Sequence, residues 1–356
     1  MQNRLPLFIS DNLNTKTDTI SLHLLKLFIS TLLLSSATLL FSSCRGSDEP
    51  GSSKKNGRSY LKCADIYPSL DNRTIQLGPL ILTQKKRELK ITGIPSSIIR
   101  IGLLAGIYDG SPETDKNINY FLDRFKAAKV QAIAVAGGVG TTKEQIIHTL
   151  VTLSKAPVPL LLTPGANESF PEFEKALQKV TPDYPQFIDM TRIRKVFMKQ
   201  VVIISLPGYT NTYYLKAKEQ GCSFDQDDIS NIEDFTDNKH VAVLLSPTPP
   251  LGKGSAASDI GRLSINVGDA DILKVMKDAD IRFALSGIIY EAGGNAASIK
   301  DNAPVPKNIW STSFLLQAGS AAATPVVKAD KGRLSGMASI VEFSGNKGRY
   351  KIIYPK

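Results

Sequence analysis

The chain has 356 residues, with 43 Lys or Arg against 33 Asp or Glu and a formal net charge of +10. That length allows one large domain or two small ones. The positive charge favours anionic surroundings such as lipid headgroups or acidic polysaccharide, and because it is not gathered into one Lys/Arg block it argues against nucleic acid as a partner.

Residues 24–43 (LLKLFISTLLLSSATLLFSS) are mostly apolar or small, with Arg4 upstream and Lys26 near the start of the run. Cys44 follows Phe41-Ser42-Ser43, and Arg45-Gly46 comes next. The pattern resembles a bacterial lipoprotein signal with Cys44 as the lipidated first residue of the mature chain. It implies a signal peptide over 1–43 and a membrane-anchored lipoprotein of the bacterial cell envelope. The outer membrane, facing the periplasm or the surface, is the expected site; an uncleaved anchor is the alternative. Residues 45–59 (RGSDEPGSSKKNGRS) are polar, with no apolar period, so 44–59 is expected to be a flexible tether. Cys63 and Cys222 would be free to pair in an oxidising envelope or to remain separate thiols, and their spacing does not choose.

Residues 60–98 form an N-terminal β segment. TIQLGPLILTQ and RELKITGI read as two short strands, a hairpin or edge addition ahead of the core. The main domain then runs from 99 to 356. Between Ile99 and Ser169 the pattern is strand, turn, helix, repeated, with strands IRIGLLA, VQAIAVA and VPLLLT. Apolar strands alternating with amphipathic helices imply a parallel sheet, whose functional residues sit just past the carboxyl ends of its strands. Ser111 is expected to cap the first helix, with Pro112 at its first position and Ile118, Phe121, Leu122 and Phe125 as its buried stripe. Thr141 with Glu144 reads as a capping box for the second, which buries Ile146, Ile147, Leu150 and Leu153 and turns His148 to solvent. A third helix over 171–180 turns Phe173, Ala176, Leu177 and Val180 inward.

Beyond it, RIRKVFM and QVVIISL read as consecutive strands of a second sheet, followed by a long polar loop with a short helix. HVAVLLS is a buried strand, ADILKVMKDAD a helix and IRFALSG a strand. IWSTSFLLQAG, MASIVEFSG and RYKIIY read as an antiparallel ending.

The three strand-end turns are Gly106-Ile107-Tyr108, Gly137-Gly138 and Gly165-Ala166-Asn167-Glu168; LLSPTPP and SGIIYEAGG follow later. Along about 250 residues this frame resembles the calcineurin-like metallophosphoesterases. That family carries D-x-H, G-D and G-N-H-E/D after its first three strands, then a His before a proline-rich turn and a G-H-x-H. The resemblance implies an α/β fold, a two-sheet mixed β sandwich flanked by helices. It implies a dimetal phosphoesterase site at Gly106, Tyr108, Gly138, Ala166, Asn167, Pro247, Ile288 and Tyr290.

Those positions lack the donors. Such a site needs two metal ions held by His nitrogens and carboxylate oxygens to clamp phosphate and sharpen a water. Gly, Ala, Pro and Ile offer no side-chain donor, and a Tyr phenolate is costly near neutral pH. The chain holds only His23, His148 and His240. The expected protein is therefore a binding or scaffolding pseudoenzyme without catalytic residues or a cofactor, whose envelope partner is unidentified, the net charge favouring an anionic one. Two alternatives stand beside it. One is a hydrolase with one weakly held divalent metal relocated to Asp109, Asn167, Glu168 and Glu291. The other is a structural envelope protein without ligand. Gly137, Gly138 and Gly140, ahead of a capped helix, could also cradle an anion through backbone N–H groups. If the strand ends converge, Tyr108 and Tyr290 are expected to meet there and plug the former metal position, with Ile288 beneath and Asn167 near a phenol.

Overall fold

The computed structural model describes residues 61–63, 72–210 and 214–355, with backbone alone at 54–55 and 58–59. The chain divides into Met1–Asp48 and Glu49–Lys356, and all described residues belong to the second unit. The expected signal peptide and Cys44 lie outside the described residues. Within the stretch read as a tether, Lys54–Lys55 pairs antiparallel with Arg58–Ser59. The intervening Asn56-Gly57 is a hairpin signal that the polar composition obscured.

Two mixed sheets pack face to face. The strands that build them are β1 (Arg73–Leu77), β2 (Leu80–Lys85), β3 (Glu88–Thr92), β4 (Ile99–Leu104), β5 (Ala132–Ala136), β6 (Leu160–Thr163), β7 (Phe187–Asp189) and β8 (Lys195–Met198). They continue with β9 (Val201–Ser205), β10 (Val241–Leu245), β11 (Phe283–Ser286), β12 (Ala296–Ala297), β13 (Phe314–Gln317), β14 (Ala338–Ser344) and β15 (Lys347–Ile353). One sheet has the order β7-β6-β5-β4-β14-β15, its first four strands mutually parallel. The other has the order β12-β13-β11-β10-β9-β8-β3-β2-β1, with β9, β10, β11 and β13 parallel.

The expected fold class, two mixed sheets flanked by helices, is the one observed. Strand alternation decides which side chains meet. Ile101 and Leu103 face the inter-sheet core with Ile203, Val243, Leu285 and Leu316. The intervening Ile133, Val135 and Leu162 face the helices α1 (Pro112–Ala127), α2 (Lys143–Leu153) and α3 (Phe170–Val180). Helices α4 (Gln226–Ser230) and α5 (Ala270–Asp278) cover the outer face of the second sheet through Ile229, Ile272 and Met276. Each such Leu, Ile or Phe contributes roughly 1.5–3 kcal/mol by leaving water.

Several local readings need correction. TIQLGPLILTQ is two strands, because Gly78 at φ 56° and Pro79 turn the chain between β1 and β2. With β3 they form the edge of the nine-stranded sheet. Helix α2 is capped by Thr142, whose hydroxyl accepts from the Gln145 amide; Thr141 bonds the Gln145 side chain. Ile147 is only partly buried. Within IWSTSFLLQAG, β13 runs parallel to β11, since a strand arriving after a long crossover need not reverse. On its other side β13 is antiparallel to β12, and β14 and β15 form the antiparallel ending.

Ser111 does cap α1, accepting from the Thr114 amide, and the four-residue stripe of that helix is buried. His148 is half exposed and pairs with Asp115 at 2.8 Å. Cys63 and Cys222 form a disulfide with a Cα separation of 5.5 Å, beside the short parallel pair Leu61–Lys62 and Cys222–Ser223. Among the described residues no helix is long and apolar enough to cross a membrane.

Candidate functional site

The carboxyl ends of β4, β5, β6, β10 and β11 meet at one place. The Gly106 amide donates to Gly137 O at 3.0 Å and the Ile288 amide to Pro247 O at 3.3 Å. The two sheets touch where Gly287, just past β11, lies against Ala136 and Ala105; a Cβ there would fall 2.1 Å from Ala136 O. Only glycines allow the strand ends so close. Gly106 and Gly138 also adopt φ of 62° and 79°, the left-handed region that costs other residues about 1–2 kcal/mol.

Tyr108 and Tyr290 stack in this space, ring centroids 5.6 Å apart and planes at 25°. Asn167 donates from Nδ2 to the Tyr290 hydroxyl at 3.1 Å. Burial, reinforced by the Glu168 carboxylate, pushes the Tyr290 phenol well above its ordinary value. Tyr108 is raised by burial too, although its hydroxyl bonds Ser320. Ile288 packs on Gly165.

Glu168 is fully buried beneath the tyrosines. Its Oε1 accepts from the Val139 amide at 2.6 Å and its Oε2 from the Gly165 amide at 3.0 Å. The Gly138 amide bonds it as well. Burial nevertheless raises its carboxyl above the usual range. The neighbouring Ser169 is the N-cap of α3. Of the three glycine amides that suggested a cradle for an external anion, that of Gly138 is taken up by this internal carboxyl.

The other candidate ligands are engaged apart from one another. Asp109 accepts from the Ser111 amide and hydroxyl, both at 3.1 Å, and from the Thr324 hydroxyl at 2.7 Å. Glu291 pairs with Arg262 at 3.2 Å. Among the described residues no three His, Cys, Asp or Glu side chains cluster in a way that could hold a metal ion. A dimetal centre does not fit this donor set: Gly106, Gly138, Ala166, Pro247 and Ile288 cannot ligate through side chains, and Tyr290 stands between them.

Above the tyrosines a cleft of about 880 Å³ opens. Ala166, Asn167 and Ile288 line its floor, and Tyr214, Lys216 and Arg262 its walls. Its mouth carries Leu263, Ile265, Val326 and Val327. Sequence reasoning passed over the wall and mouth residues because they come from loops and from elements of two or three residues, Arg262–Ser264 and Val326–Val327, too short to show a period. The aromatic residues inside the polar stretch GYTNTYYLKAKEQ were the available signal. His240 lies elsewhere, in a groove with Lys85, Lys90 and Lys199.

No family model and no curated protein matches the sequence. The fold itself is shared with solved structures. One crystal structure superposes with a TM-score of 0.51 at 10% identity, over 71% of this chain and 98% of that one. GAP50, the anchor in the inner membrane complex of Plasmodium, gives 0.47 at 13% identity, over 72% and 84% of the two chains. A dimetal phosphatase from Danio rerio gives 0.44 at 9% identity, over 72% and 99%. Purple acid phosphatase PPD1 from yellow lupin gives 0.40 at 10% identity, over 76% and 56%. At these identities the likeness is one of fold alone, and the first superposition carries it: mixed α/β, with two large mixed sheets flanked by helices.

Proposed function

We propose that this domain is a binding or scaffolding protein on a metallophosphoesterase-like frame, working without a dimetal centre and held to a bacterial envelope membrane through lipid on Cys44. One observation carries the reading: the positions where the resemblance asks for metal donors hold Gly106, Gly138, Ala166, Pro247 and Ile288, and Tyr108 stacks on Tyr290 in the space between. The open cleft above them favours binding over a purely structural role. The competing hydrolase would need Asp109, Asn167, Glu168 and Glu291 to leave their present partners and converge.

Elemental analysis of the purified protein, paired with assay on an aryl phosphate diester, tests this. The expected result is substoichiometric Mn and Zn and no turnover. About one tightly held metal per chain, lost together with turnover in Asp109→Ala and Glu291→Ala, would establish the relocated site instead.

A further inference from the structure

We infer that the cleft takes an amphiphilic anion: a carboxylate or phosphate head carried on a single alkyl or acyl chain. This deepens the binding reading and rests on it.

The head is chosen by Lys216. Its ammonium stands 5.7 Å from the centroid of the Tyr108 ring, and its backbone amide is tied to Ala166 O at 2.8 Å. Among the described residues no carboxylate pairs with it. Arg262, the other cation of the walls, is by contrast already matched by Glu291. An ammonium without a counterion at the wall of a cleft attracts anions and repels cations. Asn167 adds a polar group to the floor beside it.

The chain is chosen by the mouth. Leu263 is 89% exposed, Ile265 56% and Val327 55%, so three of the eight exposed large hydrophobics among the described residues belong to one opening. Such clustering marks a binding surface, where scattered exposed side chains do not. The backbone adds a second, independent sign. Leu263 and Ser264 have φ of 62° and 58°, a left-handed pair without glycine. The loop therefore spends conformational energy on holding a leucine in water, a cost that an apolar ligand would offset.

Other ligand classes fit less well. A sugar would seek an open aromatic face, and the Tyr108 ring is already covered by Tyr290 and Lys216. A small inorganic anion would leave the apolar mouth unused. The volume of about 880 Å³ lies in the usual range for small-ligand sites.

The test is equilibrium dialysis of the full chain, held in zwitterionic nanodiscs, with empty discs as the partition blank. The probes are octanoate, octyl phosphate, octyltrimethylammonium, acetate and inorganic phosphate. One saturable site for octanoate or octyl phosphate is expected, and the tighter of the two identifies the head. The cation and the chainless anions should bind at least about tenfold more weakly. Lys216→Gln should weaken the anionic amphiphiles about tenfold, the loss of one charge-assisted contact. Leu263→Ser, at an exposed position, should weaken them while leaving the melting temperature unchanged. No saturable binding above empty discs, equal binding of the cation, or unchanged affinity in Lys216→Gln would overturn the inference. Metal with turnover would instead overturn the function proposed above, whatever the probes do.

Discussion

A Cβ built on Gly106 would lie 2.7 Å from Cε1 of Tyr290. The first strand-end turn and the last are therefore fitted to each other, and a larger residue at one requires a smaller residue at the other. Gly106→Ala should cost about 2–4 kcal/mol in urea unfolding, from left-handed strain and overpacking. Adding Tyr290→Ala removes most of the steric part, leaving Ser320 Oγ at 3.0 Å, so the double variant should be more stable than the two single losses imply. Strict additivity would show that the contact does not matter.

Tyr290→Phe removes the hydroxyl that receives the Asn167 amide. Asn167 is only 7% exposed, so its donor is left without a replacement in water. A loss of about 1–2 kcal/mol is expected in the same measurement. No change would mean that Asn167 finds another acceptor.

Asp109 joins the first turn to the loop at Thr324. Burial pushes its carboxyl up, but hydrogen bonds from Thr114, Thr324 and Ser111 outweigh this and hold it below the usual range. A depressed carboxyl stabilises the fold above its unfolded value of about 3.8, and that contribution is lost as pH falls through the folded value. Asp109→Asn should therefore destabilise at pH 7, with the gap from wild type closing below about pH 3.8. A gap that widens on acidification would reverse the assignment.

The Cys63–Cys222 disulfide closes a loop of 159 residues, tying the start of the described domain to the loop after β9. Its reduction, or Cys63→Ala with Cys222→Ala, should cost about 2–5 kcal/mol. Melting under oxidising and reducing conditions checks this, and identical curves would argue against the bond.

Cys44→Ala should release the protein from membranes or leave it unprocessed. Fractionation with mass analysis of the N-terminus is the readout. Unchanged processing and membrane retention in that variant would count against lipidation.

Much of the frame was legible because apolar periodicity dictates it. The stripe Ile118, Phe121, Leu122, Phe125 and the run Ala132–Ala136 have few other ways to leave water. The meeting of Tyr108 with Tyr290 was legible only through the resemblance, which brings those two positions to one site. The walls of the cleft could not. Lys216 sits on a loop, and Arg262 and Leu263 in a single 3-10 turn, whose course depends on contacts distant in sequence, such as the Glu291 pair. The direction of β13 was misread for a related reason: alternation reveals a strand and its buried face, not the neighbour beside which it lies. Nor could the spacing of Cys63 and Cys222 indicate pairing, because they lie 159 positions apart and only the fold brings them together.

Glu168 changes what the centre of this domain needs in order to stand. In a site built around bound ions, the ions also act as rivets between strand ends. Here a single side chain fastens the turns after β5 and β6 to each other by collecting their amides on one carboxylate. The rivet is encoded in the chain and cannot be chelated away. The two turns are thus joined by a residue that no change in the cleft's outer loops would remove.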